Sequence, residues 1–279
     1  MNYRHAFHAG NFADVLKHVV LARVLAHLCD KPTPFRVIDT HAGAALYDLA
    51  GPEASRTGEW RDGIGRLLGA TIPPDIAALL APYLDVVAPL CSGGAPRYPG
   101  SPLLALRLMR PQDRLTACEL VPAAAAALAH VLGRDARAKA VAIDGWLALK
   151  AYVPPKERRG LVLVDPPFER SDEFSHLAHG IVNAVRKWPT GVYVIWYPVK
   201  ERRGPDAFVD ALAAAGIAKL LRVEIDVGGD DEVLRACGLV LINPPWRVAD
   251  EFAVLLDWLV PVLARGGGAK SRLDQIAVR

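Results

Sequence analysis

Cysteine is scarce and scattered in this 279-residue chain: Cys29, Cys91, Cys118 and Cys237 stand far apart, and no Cys-x-x-Cys pair occurs. Such spacing supplies neither a zinc ligand set nor a disulfide framework, so no metal site is expected and the four read as small apolar residues of a reducing compartment. Long apolar runs are missing too. None approaches the roughly 20 residues of a membrane-spanning helix, and the start Met1-Asn2-Tyr3-Arg4-His5 has no apolar signal core. The expectation is a soluble, cytoplasmic protein without a membrane partner. Neither sign of charge is in excess: 33 Lys and Arg against 30 Asp and Glu leave +3, which permits a nucleic-acid partner without arguing for one.

Against those absences stands a regular alternation. After the breaker Lys31-Pro32-Thr33-Pro34, Phe35–Asp39 reads as a first strand, and Arg114–Glu119, Ala138–Ile143, Leu161–Val164 and Thr190–Trp196 follow. Helices over Pro122–Leu132, Trp146–Tyr152, Asp172–Trp188 and Pro205–Ala215 separate or follow them. Leu220–Val227 and Leu239–Ile242 read as late strands, and Val248–Ala264 as a last helix before a loosely held glycine-rich tail from Gly266. This alternation implies an α/β fold with a doubly wound parallel sheet covered by helices on both faces. One stretch breaks it. Between Gly51 and Gly100 glycines and prolines recur, and the apolar pieces Ile64–Leu68 and Ile76–Val87 suggest small helices. The helix opening at Ser101-Pro102 already supplies the crossover, so residues 53–98 read as an inserted helical subdomain of a domain made from 1–52 and 99–279.

Four successive strands end in acids: Asp39, Glu119, Asp144 and Asp165. One such acid is commonplace as a cap or turn residue, but four at the carboxyl edge of an open sheet suggest a shelf for a ligand. The richest ending is Leu161-Val162-Leu163-Val164-Asp165-Pro166-Pro167-Phe168. An apolar run without alternation is a strand covered on both faces, and two prolines hold the chain extended, so the acid and the ring are presented rigidly. This turn resembles the Asp-Pro-Pro-Phe/Tyr signature of S-adenosylmethionine-dependent amino-methyltransferases. In that chemistry the exocyclic amine of adenine is a weak nucleophile, its lone pair delocalised into the ring. Hydrogen bonds to the Asp165 carboxylate and the Pro166 carbonyl favour a pyramidal nitrogen, Asp165 accepts the proton, and Phe168 stacks on the extruded base. Glu119 suits the ribose diol of the cofactor and Asp144 its adenine amine.

Leu239-Val240-Leu241-Ile242-Asn243-Pro244-Pro245-Trp246 imitates the motif. Its strand is the last, whereas that of Asp165 directly follows those of Glu119 and Asp144. Asn243–Trp246 therefore reads as a structural turn near the sheet edge.

At the other end, Tyr3–Gly10 crowds two histidines, an arginine and two aromatics into a segment without a period. Asn11 can cap the next helix, with Asp14 three residues on as in a capping box. Phe12, Val15, Leu16, Val19 and Val20 then form an apolar stripe, which leaves Lys17 and His18 on another face and available to a ligand. Arg4, His5, His8 and Lys17, beside Tyr3 and Phe7, suit phosphate contacts and base stacking, or form a solvated cluster. The turn Asp39-Thr40-His41-Ala42-Gly43 offers an acid and a glycine, although the usual Gly-x-Gly is reduced to one glycine.

Together these blocks resemble the bacterial RlmJ methyltransferases, which methylate N6 of an adenine in 23S ribosomal RNA. The resemblance is carried by Tyr3 to His18, Asp39 to Gly43, Arg56-Thr57-Gly58-Glu59, Tyr98-Pro99-Gly100-Ser101-Pro102, Asp165 to Phe168, Trp196-Tyr197-Pro198 and Asn243 to Trp246. It implies a monomeric, Rossmann-like class I methyltransferase with a mostly parallel sheet and a small helical insertion, acting on protein-free 23S RNA or an early precursor. It further implies cofactor contacts at His18, His41, Ser101, Glu119, Asp144, Gly145 and Asp165, Tyr3 near the RNA adenine, and Asp165 as the catalytic acid. Phe168 stands where the family often has Tyr, and keeps a stacking face; Ala45 stands where a second glycine is common. DNA adenine or the N2 amine of RNA guanine could be presented to the same turn, and a nucleic-acid-binding protein without catalysis would need only the basic N-terminal segment.

Overall fold

In chain order the elements are α1 (Phe12–Cys29), β1 (Arg36–Asp39), β2 (Leu46–Asp48), α2 (Pro52–Thr57), α3 (Ile64–Gly69), α4 (Pro74–Cys91), β3 (Arg97–Pro99), α5 (Ser101–Leu108), β4 (Arg114–Glu119) and α6 (Pro122–Leu132). They continue with β5 (Ala138–Ala142), α7 (Gly145–Tyr152), β6 (Gly160–Val164), α8 (Glu173–Lys187), β7 (Val192–Pro198), α9 (Arg203–Ala214), β8 (Lys219–Asp226), β9 (Ala236–Ile242), α10 (Val248–Leu263) and β10 (Lys270–Ala277). This computed structural model describes residues 4–170, 172–229 and 234–277. The main sheet runs β10-β8-β9-β7-β6-β1-β4-β5. β6 is buried along its whole length between two cores. One is built on α1, α5, α6 and α10, the other on α7, α8 and α9. That explains an apolar run without alternation.

The strands β5, β4, β1, β6 and β7 are mutually parallel. Pairing of Asp39 with both Ala117 and Leu163 brings the ends of β1, β4 and β6 to one edge. Since β1 lies between β4 and β6, strand order reverses there, which opens the crevice where such sheets take ligands. The late strands depart from the parallel expectation. β9 runs antiparallel to β7 and β8, so Ile242 pairs with Tyr193 near the start of β7 and Asn243 lies at the edge opposite Asp165. The tail is not loose either: β10 pairs antiparallel with β8, from Lys270 opposite Asp226 to Ala277 opposite Lys219. An edge strand has one partner, so its polar, alternating sequence hid it from a search for apolar runs.

Between β2 and β3, which pair as a short antiparallel ribbon, stand α2, α3 and α4. Ile64, Leu67, Leu80, Tyr83 and Val87 from these helices join the core built on α1. α4 also corrects the reading of apolar runs. It continues through Pro82 and Pro89 as one 18-residue helix of mean hydropathy 1.4, long and apolar enough by length and composition to cross a membrane. The expected piece Ile76–Val87 stops short of Pro89, and burial of Leu80, Tyr83 and Val87 outweighs the hydrogen bonds the two prolines remove. A second correction concerns α1, which is buried nearly all round: Asp14, Lys17 and His18 are as enclosed as its apolar stripe.

Candidate active site

Asp165 leaves the end of β6 partly buried, and Pro166 behind it is buried. Phe168 takes a left-handed φ of 51°, a conformation that costs a non-glycine residue energy and turns its ring aside. The ring lies 4.9 Å from that of Phe174 and 5.9 Å from that of Trp196. Facing this turn, Lys17 reaches from α1. Its Nζ lies 2.6 Å from Asp165 Oδ2 and 2.8 Å from Asp14 Oδ1. Asp14 Oδ2 also takes the Gly10 N–H at 2.9 Å and lies 3.0 Å from His5 Nε2. Burial opposes the charge on both Asp14 and Lys17, yet their mutual attraction, with His5 and Asp165, holds Asp14 well below and Lys17 well above its ordinary pKa.

One turn along α1, His18 Nδ1 meets the Tyr98 hydroxyl at 2.8 Å with the rings stacked, and Tyr98 contacts the Tyr83 hydroxyl. Burial lowers His18 to about 3, so the ring is neutral, and its Nε2 is buried without a partner among the described residues. At the end of β1, Asp39 Oδ2 accepts from Ser101 Oγ at 2.6 Å, while Oδ1 is buried without a close partner among the described residues. Burial, against the Ser101 bond, raises this carboxyl to about 7. His41 is lowered to about 4 by burial and shares a hydrogen bond with Thr40. Gly145 opens α7 so close to β1 that a Cβ there would lie 2.5 Å from Thr40 O and His41 Nε2. Glu119 accepts the Gly43 and Val121 amides, and Asp144 Oδ1 caps α7 by accepting the Trp146 and Leu147 amides.

One cavity of about 520 Å³ opens among these groups. Its wall holds Arg4, His5, Lys17, His18, His41, Ser101, Glu119, Asp144, Gly145, Asp165 and Pro166. Phe168 stands beside it in the aromatic cluster, and His8 lies apart with its ring on Glu59. Tyr3 lies outside the described residues. Lys17, grouped in the sequence with phosphate-contacting side chains, has its ammonium between two carboxylates instead of on the surface. Arg4 remains exposed, paired with Glu53 and set over Phe7. Sequence reasoning passed over Asp14 as more than a cap, although its three-residue spacing to Lys17 was the signal. Trp146, which contacts His41 edge-on, and Trp196 also line the wall. Asn243, by contrast, donates to Pro189 O and Gly191 O, each at 2.8 Å, and leaves Trp246 78% exposed.

The chain matches known proteins over nearly its whole length. The family model described as ribosomal RNA large subunit methyltransferase D, RlmJ, matches residues 32–274. A protein of Escherichia coli K12 named ribosomal RNA large subunit methyltransferase J is 40% identical, covering 99% of each chain. Its namesake from Haemophilus influenzae is 40% identical over 96% of this chain and 95% of its own. Among solved structures, a Legionella pneumophila protein superposes with a TM-score of 0.87 at 33% identity, covering 96% of this chain and 98% of that one. With a family match across residues 32–274 and relatives aligned from end to end, this chain belongs to the RlmJ family.

Proposed function

We propose that this chain transfers a methyl group from S-adenosylmethionine to the N6 amine of an adenine in 23S ribosomal RNA. The observation that carries the reading is Asp165, set by β6 and Lys17 on the wall of the cavity that also holds Glu119 and Asp144. The names of the two relatives support a ribosomal RNA substrate.

The cavity fits a ligand that joins a nucleoside to a charged amino-acid part. His18 Nε2, on the cavity wall, is a buried polar atom that lacks a partner among the described residues, a state that costs energy unless a ligand completes it. Glu119 has lone pairs left for ribose hydroxyls, and Asp144 Oδ2 has none of the amides that occupy Oδ1. S-adenosylmethionine supplies an electrophilic methyl when bound. The chain's part is alignment and proton transfer. Lys17 holds Asp165 Oδ2, which orients the carboxylate and leaves Oδ1 to accept from the adenine amine. Pro166 offers its carbonyl to the same nitrogen, and the proton released on methylation passes to Asp165. Phe168, fixed against Phe174 and Trp196, supplies an aromatic face for the extruded base. Exposed Arg4, and Arg56 set 4.7 Å over Phe7, supply cations for the RNA backbone near the entrance.

Incubation with methyl-labelled cofactor and protein-free 23S RNA tests this, and label is expected in N6-methyladenine. Label in guanine N2 or in DNA adenine would replace the substrate; no label in any nucleic acid would end the reading.

A further inference from the structure

Glu59, the last residue of the Arg56-Thr57-Gly58-Glu59 block, has no part in the chemistry above, yet it is built onto the start of the helix that carries Lys17. Gly58 closes α2 with a φ of 67°, and this left-handed turn delivers Glu59 toward α1. Glu59 Oε2 accepts the Asn11 Nδ2–H at 2.9 Å, and both its oxygens lie within 3.1 Å of His8 Nδ1. Backbones meet beside it: the Ile64 N–H donates to Gly10 O at 2.8 Å, and a Cβ at Gly63 would lie 2.2 Å from that same oxygen. The insertion is therefore seated directly on the α1 N-terminus, with no room for slack.

We propose that Glu59 is a positioning residue for Asp165, acting through Asn11, Asp14 and Lys17. An asparagine amide has one donor end and one acceptor end. Because Glu59 takes the donor end, Asn11 Oδ1 must face α1, where it accepts the Asp14 N–H at 3.0 Å and caps the helix. The capped turn sets Asp14, whose carboxylate holds the Lys17 ammonium, and Lys17 in turn holds Asp165. Each link joins groups that are buried or half-buried, where a polar contact counts for more than at the surface. Burial opposes the charge on Glu59, but hydrogen bonds from His8 and Asn11 keep its carboxyl below the ordinary value, so it is an anion at neutral pH. Through this carboxylate the insertion fixes the register of the α1 start, and so the aim of the strand-end acid.

This rests on the reading of Asp165 as the transfer site, and the two fail differently: a wild-type protein that transfers no methyl ends both, whereas an active wild type with indifferent Glu59 variants ends only this one. The experiment compares single-turnover methyl transfer, with RNA and S-adenosylmethionine both saturating, in Glu59→Ala, Asn11→Asp and the pair Asn11→Asp with Glu59→Gln. Cofactor affinity by calorimetry and Tm are read alongside. Glu59→Ala is expected to slow transfer about tenfold or more with cofactor affinity within about threefold. Asn11→Asp keeps the cap but sets two carboxylates face to face, and should slow transfer similarly. The pair restores the hydrogen bond with the donor on the other side, and should recover the rate to within about threefold. Glu251→Gln breaks the Arg23 and His27 contacts farther along α1 and serves as the control, lowering Tm without slowing transfer. The proposal is overturned if Glu59→Ala keeps the rate within twofold, if Glu251→Gln slows transfer as much, or if the pair is no faster than Asn11→Asp. Should Glu59→Ala fail to fold, the rescue by the pair decides alone.

Discussion

The ammonium of Lys17 lies 2.6 Å from the carboxylate of Asp165, although 148 positions separate them in the chain. Lys17 is shared with Asp14, so a helix that starts the fold and a strand end in its centre meet on one buried charge. Removing either end of this contact should have distinct results. Asp165→Asn takes away the proton acceptor and should lower transfer by about 10²-fold or more, with cofactor affinity by calorimetry little changed. Lys17→Met leaves Asp14 buried without its ammonium. It should lower both transfer and stability, the latter by about 3–5 kcal/mol in denaturant unfolding.

Asp39 makes stability depend on pH. Its carboxyl is raised by burial from an ordinary 3.8 to about 7, so the folded chain binds this proton more tightly than the unfolded one. The contribution is complete below the unfolded value and is lost as pH rises from about 4 toward 7. At about 1.4 kcal/mol per unit, the loss is on the order of 4 kcal/mol. Asp39→Asn does not titrate and should gain on the ligand-free wild type as pH rises, which unfolding at pH 5 and pH 8 would measure. An equal difference at both pH values would contradict the assignment.

Phe168 should matter to the RNA and little to the cofactor. Phe168→Ala is expected to raise the KM for RNA or lower the transfer rate by the equivalent of about 1–3 kcal/mol, the range for stacking on a base. Calorimetry should find cofactor affinity within about threefold of wild type.

The two Pro-Pro motifs should separate cleanly. Trp246→Ala, at a ring 78% exposed, should change stability by less than about 0.5 kcal/mol and leave transfer as it is. Asn243→Ala removes the bonds to Pro189 and Gly191 and puts alanine at a φ of 51°, so it should cost about 1–3 kcal/mol in unfolding. A larger loss of transfer in Trp246→Ala than in Phe168→Ala would reverse the roles given to the motifs.

Much of the fold was legible because strand and helix periods are local. The β6 run, the Pro122 helix and the acids at the strand ends follow from neighbours within a few positions. What escaped was set by partners: β10, whose polar alternation satisfies an edge; the full length of α4, whose prolines are tolerated by packing; and the direction of β9, which loop length alone does not dictate. In the site, Asp39, Glu119, Asp144 and Asp165 were placed at one edge by counting strands. For Lys17 and His18 the sequence showed only a face away from the apolar stripe, available to a ligand, and not their burial, because a periodic helix shows its stripe but not how many sides its neighbours will cover.

By itself, then, the sequence determined which residues end the parallel strands, and with them the Asp-Pro-Pro-Phe turn and the acids beside it, since a strand's apolar run and its terminal acid are contiguous. Only the tertiary structure decided that Asp165 is held by Lys17, that Glu59 reaches Asn11, and that Asn243 faces the opposite edge. Those relationships join distant segments, and a buried charge finds its partner only once the surrounding core has excluded water.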